Sequence, residues 1–178
     1  MTTTSLPPDT VHVRIVQARA QAAPSAWHIA YEVCNTGVAT VWLVDQEHLT
    51  LHMAPGHIEL SYARSPLRSG VQVFGYFAPQ VTPLDAGTCV QREATVEWPC
   101  TLSTLWNASS LADPPPGRYT VTVRIGFGAT PPPGASQVGD AVDAAVLRWQ
   151  HAAVSASVML EIVMPPSKPG GAKPEKKT

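Results

Sequence analysis

His48, His52 and His57 lie close together in the chain. Imidazole is the commonest metal ligand, and each ligand of a zinc ion must come within about 2 Å of it. The alternation of Leu49, Leu51 and Met53 with His48, Thr50 and His52 predicts a strand. On one strand His48 and His52 share a face but stand about 13 Å apart, at roughly 3.3 Å per residue. A single regular strand therefore cannot offer both to one ion. His57, beyond the Pro55-Gly56 turn, could face either across a hairpin. These three are the candidate ligands of a metal-binding alternative, and a solvated sheet face is the expectation.

Cys34, Cys89 and Cys100 have no paired-ligand spacing, and an odd count leaves at least one thiol free. Alternation puts Cys34 opposite Tyr31 and Val33, and Cys89 opposite Val90, so both belong to outer faces. A Cys89–Cys100 bridge requires the chain to turn back near Trp98-Pro99. The expectation is reduced structural thiols, because disulfides belong to oxidising compartments. A cysteine nucleophile needs an adjacent base and an orienting group, and no pattern supplies them. Asp85, Glu93, Glu97 and Glu161 are spread over polar faces as solvating charges. Asn107-Ala108-Ser109 is a glycosylation sequon. Gly126-Phe127-Gly128 lacks the helix and spacing of a phosphate cradle. No catalytic residue and no cofactor are expected, and the chain is read as not an enzyme.

The element that positions the rest is the stretch 115–127, PPGRYTVTVRIGF. Tyr119, Val121, Val123, Ile125 and Phe127 alternate with Arg118, Thr120, Thr122 and Arg124, which is the period of a half-buried strand. Val11, Val13 and Ile15 predict a first strand over 10–19. Trp27, Ile29, Tyr31 and Val33 predict a second, ended by Asn35-Thr36-Gly37 with Asn and Gly at positive φ. Val41–Val44 is a short run suited to burial on both faces. Ile58, Leu60 and Tyr62, then 71–77, then 90–98 continue the series. Residues 99–113 read as irregular with a helical turn near 102–106. Residues 141–151 fit a helical turn or a strand. Val154, Ala156, Val158, Leu160 and Ile162 predict the last strand.

The glycine before Tyr119 resembles the tyrosine corner of immunoglobulin-like sandwiches, where a tyrosine near the start of the sixth strand bonds back to the corner backbone. Antibody domains place a cysteine two residues on; here Val121 stands there. The resemblance implies an all-β, antiparallel immunoglobulin-like sandwich of about eight or nine strands with long Pro/Gly-rich loops, lacking the antibody disulfide. It gives Tyr119 and Val121 structural roles and makes Trp42 the core tryptophan of the third strand. The segment 149–162 resembles the closing strand of several bacterial immunoglobulin-like domains.

Composition sets the outer bounds. The 178 residues suit one domain over 10–164, with a flexible start at 1–9 and a disordered Lys/Pro/Gly tail at 165–178. All the lysines lie in that tail, which carries a net +3, while residues 1–164 hold eight arginines against twelve acids, a net −4. An acidic body argues against nucleic acid as partner. No apolar run is long enough to cross a membrane. The opening MTTTSLPPDT is not a secretory signal, which predicts a cytoplasmic protein, or a periplasmic or secreted one if a signal was removed.

The expected function is a protein-binding or scaffold module using loops or an edge strand, with self-association through an edge as a further expectation. Phe74 and Phe77 crowd one short strand and cannot both point inward, so one lies on the opposite face, where burial under a loop is the expectation and a partner-binding patch the alternative. Trp106, Pro132 and Pro133 lie in the two long loops, where sandwiches carry binding residues. The alternatives are a protease inhibitor presenting Ala129–Ser136 and a small metal-binding protein.

Overall fold

A computed structural model describes residues 9–22, 25–65, 78–98, 100–104, 107–111, 114–133 and 140–163. Among these the chain forms β1 (Val11–Ala22), β2 (Ser25–Asn35), β3 (Val41–Val44), β4 (Thr50–Ala54), β5 (His57–Tyr62), β6 (Val81–Leu84), β7 (Cys89–Glu97), β8 (Cys100–Thr104), β9 (Asn107–Leu111), β10 (Gly117–Gly128), helix α1 (Asp140–Trp149), β11 (His151–Val154) and β12 (Val158–Ile162). The fold is all-β with one helix. It has more strands than the eight or nine expected, because the stretch read as irregular closes into the β8–β9 hairpin, β6 forms where none was expected and the last predicted strand is two; the strand expected over 71–77 lies outside the described residues.

Strand β10 is the axis of the larger, seven-stranded sheet. One flank holds β12 and then β11; the other holds β5 and then β3. Phe127 has a strand partner on each side, His151 and Leu43. Beyond these, β4 pairs with β5 and β6 with β3. The β5–β10 pair is parallel, so the sheet is mixed and not antiparallel throughout. The second sheet has the order β1-β2-β7 and is antiparallel.

The inward residues of both sheets make one core. Val33 on β2, Val41 on β3, Ile58 and Leu60 on β5, and Val121, Val123 and Ile125 on β10 are fully excluded from solvent. Each such burial stabilises by roughly 1.5–3 kcal/mol. The alternation that predicts β10 is kept in its burial, apolar in and polar out. At its start the Tyr119 hydroxyl donates to the Pro115 carbonyl at 2.8 Å.

Four local expectations change. β1 runs to Ala22, and a bulge between Ile15 and Gln17 moves its inward positions from Val11, Val13 and Ile15 to Ala18 and Ala20. Trp42 is only half-buried, because it alternates with Val41 and Leu43 and so leaves the core to them. The core tryptophans are Trp27 and Trp98, with ring centroids 4.7 Å apart. Asn35 and Gly37 do not take positive φ. Gly37 is needed for close approach, since a Cβ there meets the Thr10 side chain at 2.8 Å. Ser155–Ser157 interrupts the last strand: Ser155 gives its amide to the Val123 carbonyl, and its hydroxyl accepts the Val123 amide at 3.0 Å. Ser155 is thereby buried and Val154 and Ala156 face out.

Candidate functional site

The cysteines give the largest departure from expectation. Tyr31 and Val33 face the core, so Cys34 faces outward on β2, and Cys89 does the same on β7. The register sets them directly opposite each other, with Cα atoms 4.0 Å apart, and their sulfurs are bonded. Reduced thiols are therefore replaced by a cross-strand disulfide, and neither sulfur joins Cys100, which is buried and free. Glu32, two residues before Cys34, shares this outer face, and Arg14 of β1 meets it at 3.1 Å. His12 of β1 stands opposite Cys34.

The histidines do not assemble. His48 lies on a 3-10 turn over Gln46–His48, not on a strand, and is buried. Its Nε2 accepts the Gln80 amide at 3.1 Å. His52 is exposed on β4, opposite Glu59. His57 on β5 lies beside the hydroxyls of Thr120 and Thr122, with Nδ1 at 3.0 Å and Nε2 at 3.4 Å. Among the described residues, none of the three belongs to a group of metal-ligating atoms; the one such group is Glu32, Cys34 and Cys89, within 4.8 Å of one another.

Burial lowers the pKa of His48 from its ordinary value, against smaller opposing effects of Asp45 and Glu47. Its folded pKa is thus below its unfolded one, so the unfolded chain binds the proton more readily. The neutral ring's contribution is complete above about pH 6.5 and is lost as pH falls through the folded pKa. We expect urea midpoints to fall from pH 7.5 towards pH 5, and the fall to be smaller in His48→Gln. An equal fall in both proteins contradicts this.

A polar cluster between the sheets escapes the sequence reading. Arg92 occupies an inward position of β7, in line with Ala94 and Val96. Its Nη1 donates to the Val44 carbonyl at 3.0 Å, and its Nη2 lies 3.8 Å from Asp45. Asp45 also accepts the Thr82 hydroxyl. Tyr31, opposite Arg92 in register, stacks on Tyr62 with ring centroids 5.8 Å apart. Gln46 donates to the Tyr31 hydroxyl at 3.4 Å and to the Glu93 carbonyl at 2.7 Å. Burial pushes both tyrosine pKa values up, outweighing the pull of Arg92. Phenols held protonated in this way cannot act as general bases near neutral pH. The cluster clamps β2, β3, β5 and β7 together. The arginine within an apolar face was its legible signal.

Phe74, Phe77 and Trp106 lie outside the described residues. Pro132 is buried and Pro133 exposed. The start of their loop is tied down by Trp149, whose Nε1 donates to the Thr130 carbonyl at 2.7 Å. A Cβ on Gly128 would overlap the same indole.

The sheet edges differ in how they are guarded. β6 carries Pro83, which has no amide to offer a new strand. β1 carries its bulge, and β7 has the Gln46 side chain on the Glu93 carbonyl. Among the described residues β4 has none of these devices, and Met53 on it is 37% exposed. No family model matches the chain, and no curated protein or solved structure matches it. No helix among the described residues is long and apolar enough to cross a membrane.

Proposed function

We propose that the chain is a non-catalytic binding module with an immunoglobulin-like sandwich fold, and that it recognises another protein by pairing a strand to β4. The observation that carries this is the β4 edge, which lacks the guards found on β1, β6 and β7 and exposes Met53. A partner strand added there would gain main-chain hydrogen bonds, with Met53 supplying an apolar anchor. The Tyr119–Pro115 hydrogen bond supports the immunoglobulin-like reading. The parallel β5–β10 pair, and a disulfide joining neighbours in one sheet, depart from the antibody pattern.

The non-catalytic reading is supported by the chemistry of the buried groups. His48 is held neutral with one nitrogen engaged, and Tyr31 and Tyr62 are held protonated. The Cys34–Cys89 bridge supports a periplasmic or secreted location over a cytoplasmic one, because disulfides persist in oxidising compartments.

Met53→Asp places a charge on the edge without touching the fully buried core. It is expected to weaken capture of a stoichiometric partner from native lysate, or self-association measured by light scattering, by at least about tenfold. The folding midpoint should move little. Unchanged association by Met53→Asp removes β4 as the binding edge.

A further inference from the structure

We propose that the outer face of the three-stranded sheet is a zinc-type metal site whenever the Cys34–Cys89 bridge is reduced, with Cys34, Cys89, Glu32 and His12 as its ligands. The ion and the disulfide are mutually exclusive occupants of that face. This goes beyond the binding-module reading and does not depend on β4.

The placement follows from register. Cys34 and Cys89 are directly opposed on β2 and β7. Glu32 is two residues along β2 on the same face, and its carboxylate lies with the two sulfurs inside 4.8 Å. His12 on β1 is opposite Cys34 on the other side and is exposed. Directly opposed residues on neighbouring antiparallel strands have Cβ atoms about 4.5–5.5 Å apart, which an imidazole can span. Tetrahedral zinc with Zn–S near 2.3 Å and Zn–N or Zn–O near 2.0–2.2 Å separates its ligand atoms by about 3.3–3.8 Å. Two strands thus hold both cysteines and a carboxylate within 4.8 Å of one another, and His12, one strand away opposite Cys34, is the side chain that must turn in to complete the set.

Chemistry and charge agree with the geometry. Two thiolates and an imidazole are the donor set that selects zinc over magnesium or calcium. Two thiolates and one carboxylate exceed the charge of a divalent ion by one. Arg14, already 3.1 Å from Glu32 and largely exposed, is placed to balance it. Cys89 is exposed and Cys34 and Glu32 are half-buried, so an ion can enter from solvent.

The switching step balances with a thiol reductant. The S–S bond breaks and two small-molecule thiols are oxidised to their disulfide. Their two electrons and two protons leave the protein as two cysteine thiols. Metal binding then releases those two protons to solvent. Reoxidation requires the ion to leave, because each sulfur uses the same electrons for either bond.

The test uses the full chain, reduced with a phosphine under argon and titrated with Co2+ as a spectroscopic stand-in for zinc. The expected result is stoichiometric binding with a thiolate-to-cobalt charge-transfer band and the visible bands of a tetrahedral ion, bleached by Zn2+. The oxidised chain should show none. His12→Ala and Glu32→Gln, both away from the core, should each weaken Co2+ by about tenfold or more while leaving the oxidised fold unchanged. Zn2+ should raise the melting temperature of the reduced chain and slow its reoxidation. Absence of the band in the reduced chain overturns the site. So does a band that survives when Cys34 and Cys89 are both replaced by serine, which points to Cys100, or an affinity indifferent to both His12→Ala and Glu32→Gln. Should the double-serine variant fail to fold, the last comparison decides alone.

Discussion

Replacing Cys34 and Cys89 together by alanine is expected to lower folding stability by about 4 kcal/mol. The bridge joins positions 55 residues apart. A cross-link closing a loop of that length removes chain entropy from the unfolded ensemble worth about 4 kcal/mol at room temperature. The native face changes little, since both side chains point out of the core. The effect therefore acts on the unfolded state, and the slope of unfolding free energy against denaturant should change along with the midpoint. A domain of ordinary stability, about 5–15 kcal/mol, still folds after this loss. The reduced chain can thus remain a platform for the metal site. Guanidinium unfolding of oxidised, reduced and double-alanine proteins measures the effect. A midpoint that does not respond to reduction contradicts the bridge's role.

Asn35→Ala is expected to cost about 3–5 kcal/mol. Asn35 closes β2 and is fully buried. Its Nδ2 donates to the carbonyls of Ala39 at 2.8 Å and Leu84 at 2.9 Å, and its Oδ1 accepts the Gly37 amide at 3.0 Å. Its backbone amide and carbonyl hold Thr88 and Gly87. The side chain thus joins the ends of β2, β3 and β6, and the backbone adds the start of β7. Alanine leaves two carbonyls and one amide without that partner, each costing about 1–3 kcal/mol where water cannot replace it. Asn35→Asp should be worse still, because it removes both donors and aims a charge at two carbonyls. Thr36→Ala is the control: its exposed side chain shares one hydroxyl donor between the carbonyls of exposed Asp9 and buried Thr10, so about 1 kcal/mol or less is expected. Thermal unfolding orders the three variants, and a cost for Asn35→Ala no larger than for Thr36→Ala contradicts the reading. Because Asn35 adjoins Cys34, the two lesions should not add simply.

What depends on near neighbours in the chain was legible before folding. Period-two alternation marks the cores of β2, β7 and β10, because successive side chains leave a strand on opposite faces. It also names the inward residues Trp27, Ile29, Tyr31 and Val33, and Val121 through Phe127. Pro55-Gly56 turns as expected, with Gly56 at φ 70. The outward direction of Cys34 and Cys89 was legible in the same way. Their bonding was not, because alternation gives a side chain's direction and says nothing of which strand lies beside it.

Tertiary structure decided those adjacencies. It set β7 against β2 and so turned two outward cysteines into a pair. It laid β5 parallel to β10, which requires a connection that no local pattern announces. It chose Trp27 and Trp98 over Trp42 for the core, because β3 presents Val41 and Leu43 inward. It made Asn35 a junction and not a turn residue, since its amide reaches Leu84, 49 positions away. The bulge at Val16 and the break at Ser155–Ser157 changed which residues face inward along β1 and the final strand. Each of these depends on long-range pairing, whose free energy comes from a neighbouring strand and not from the segment that carries the residue.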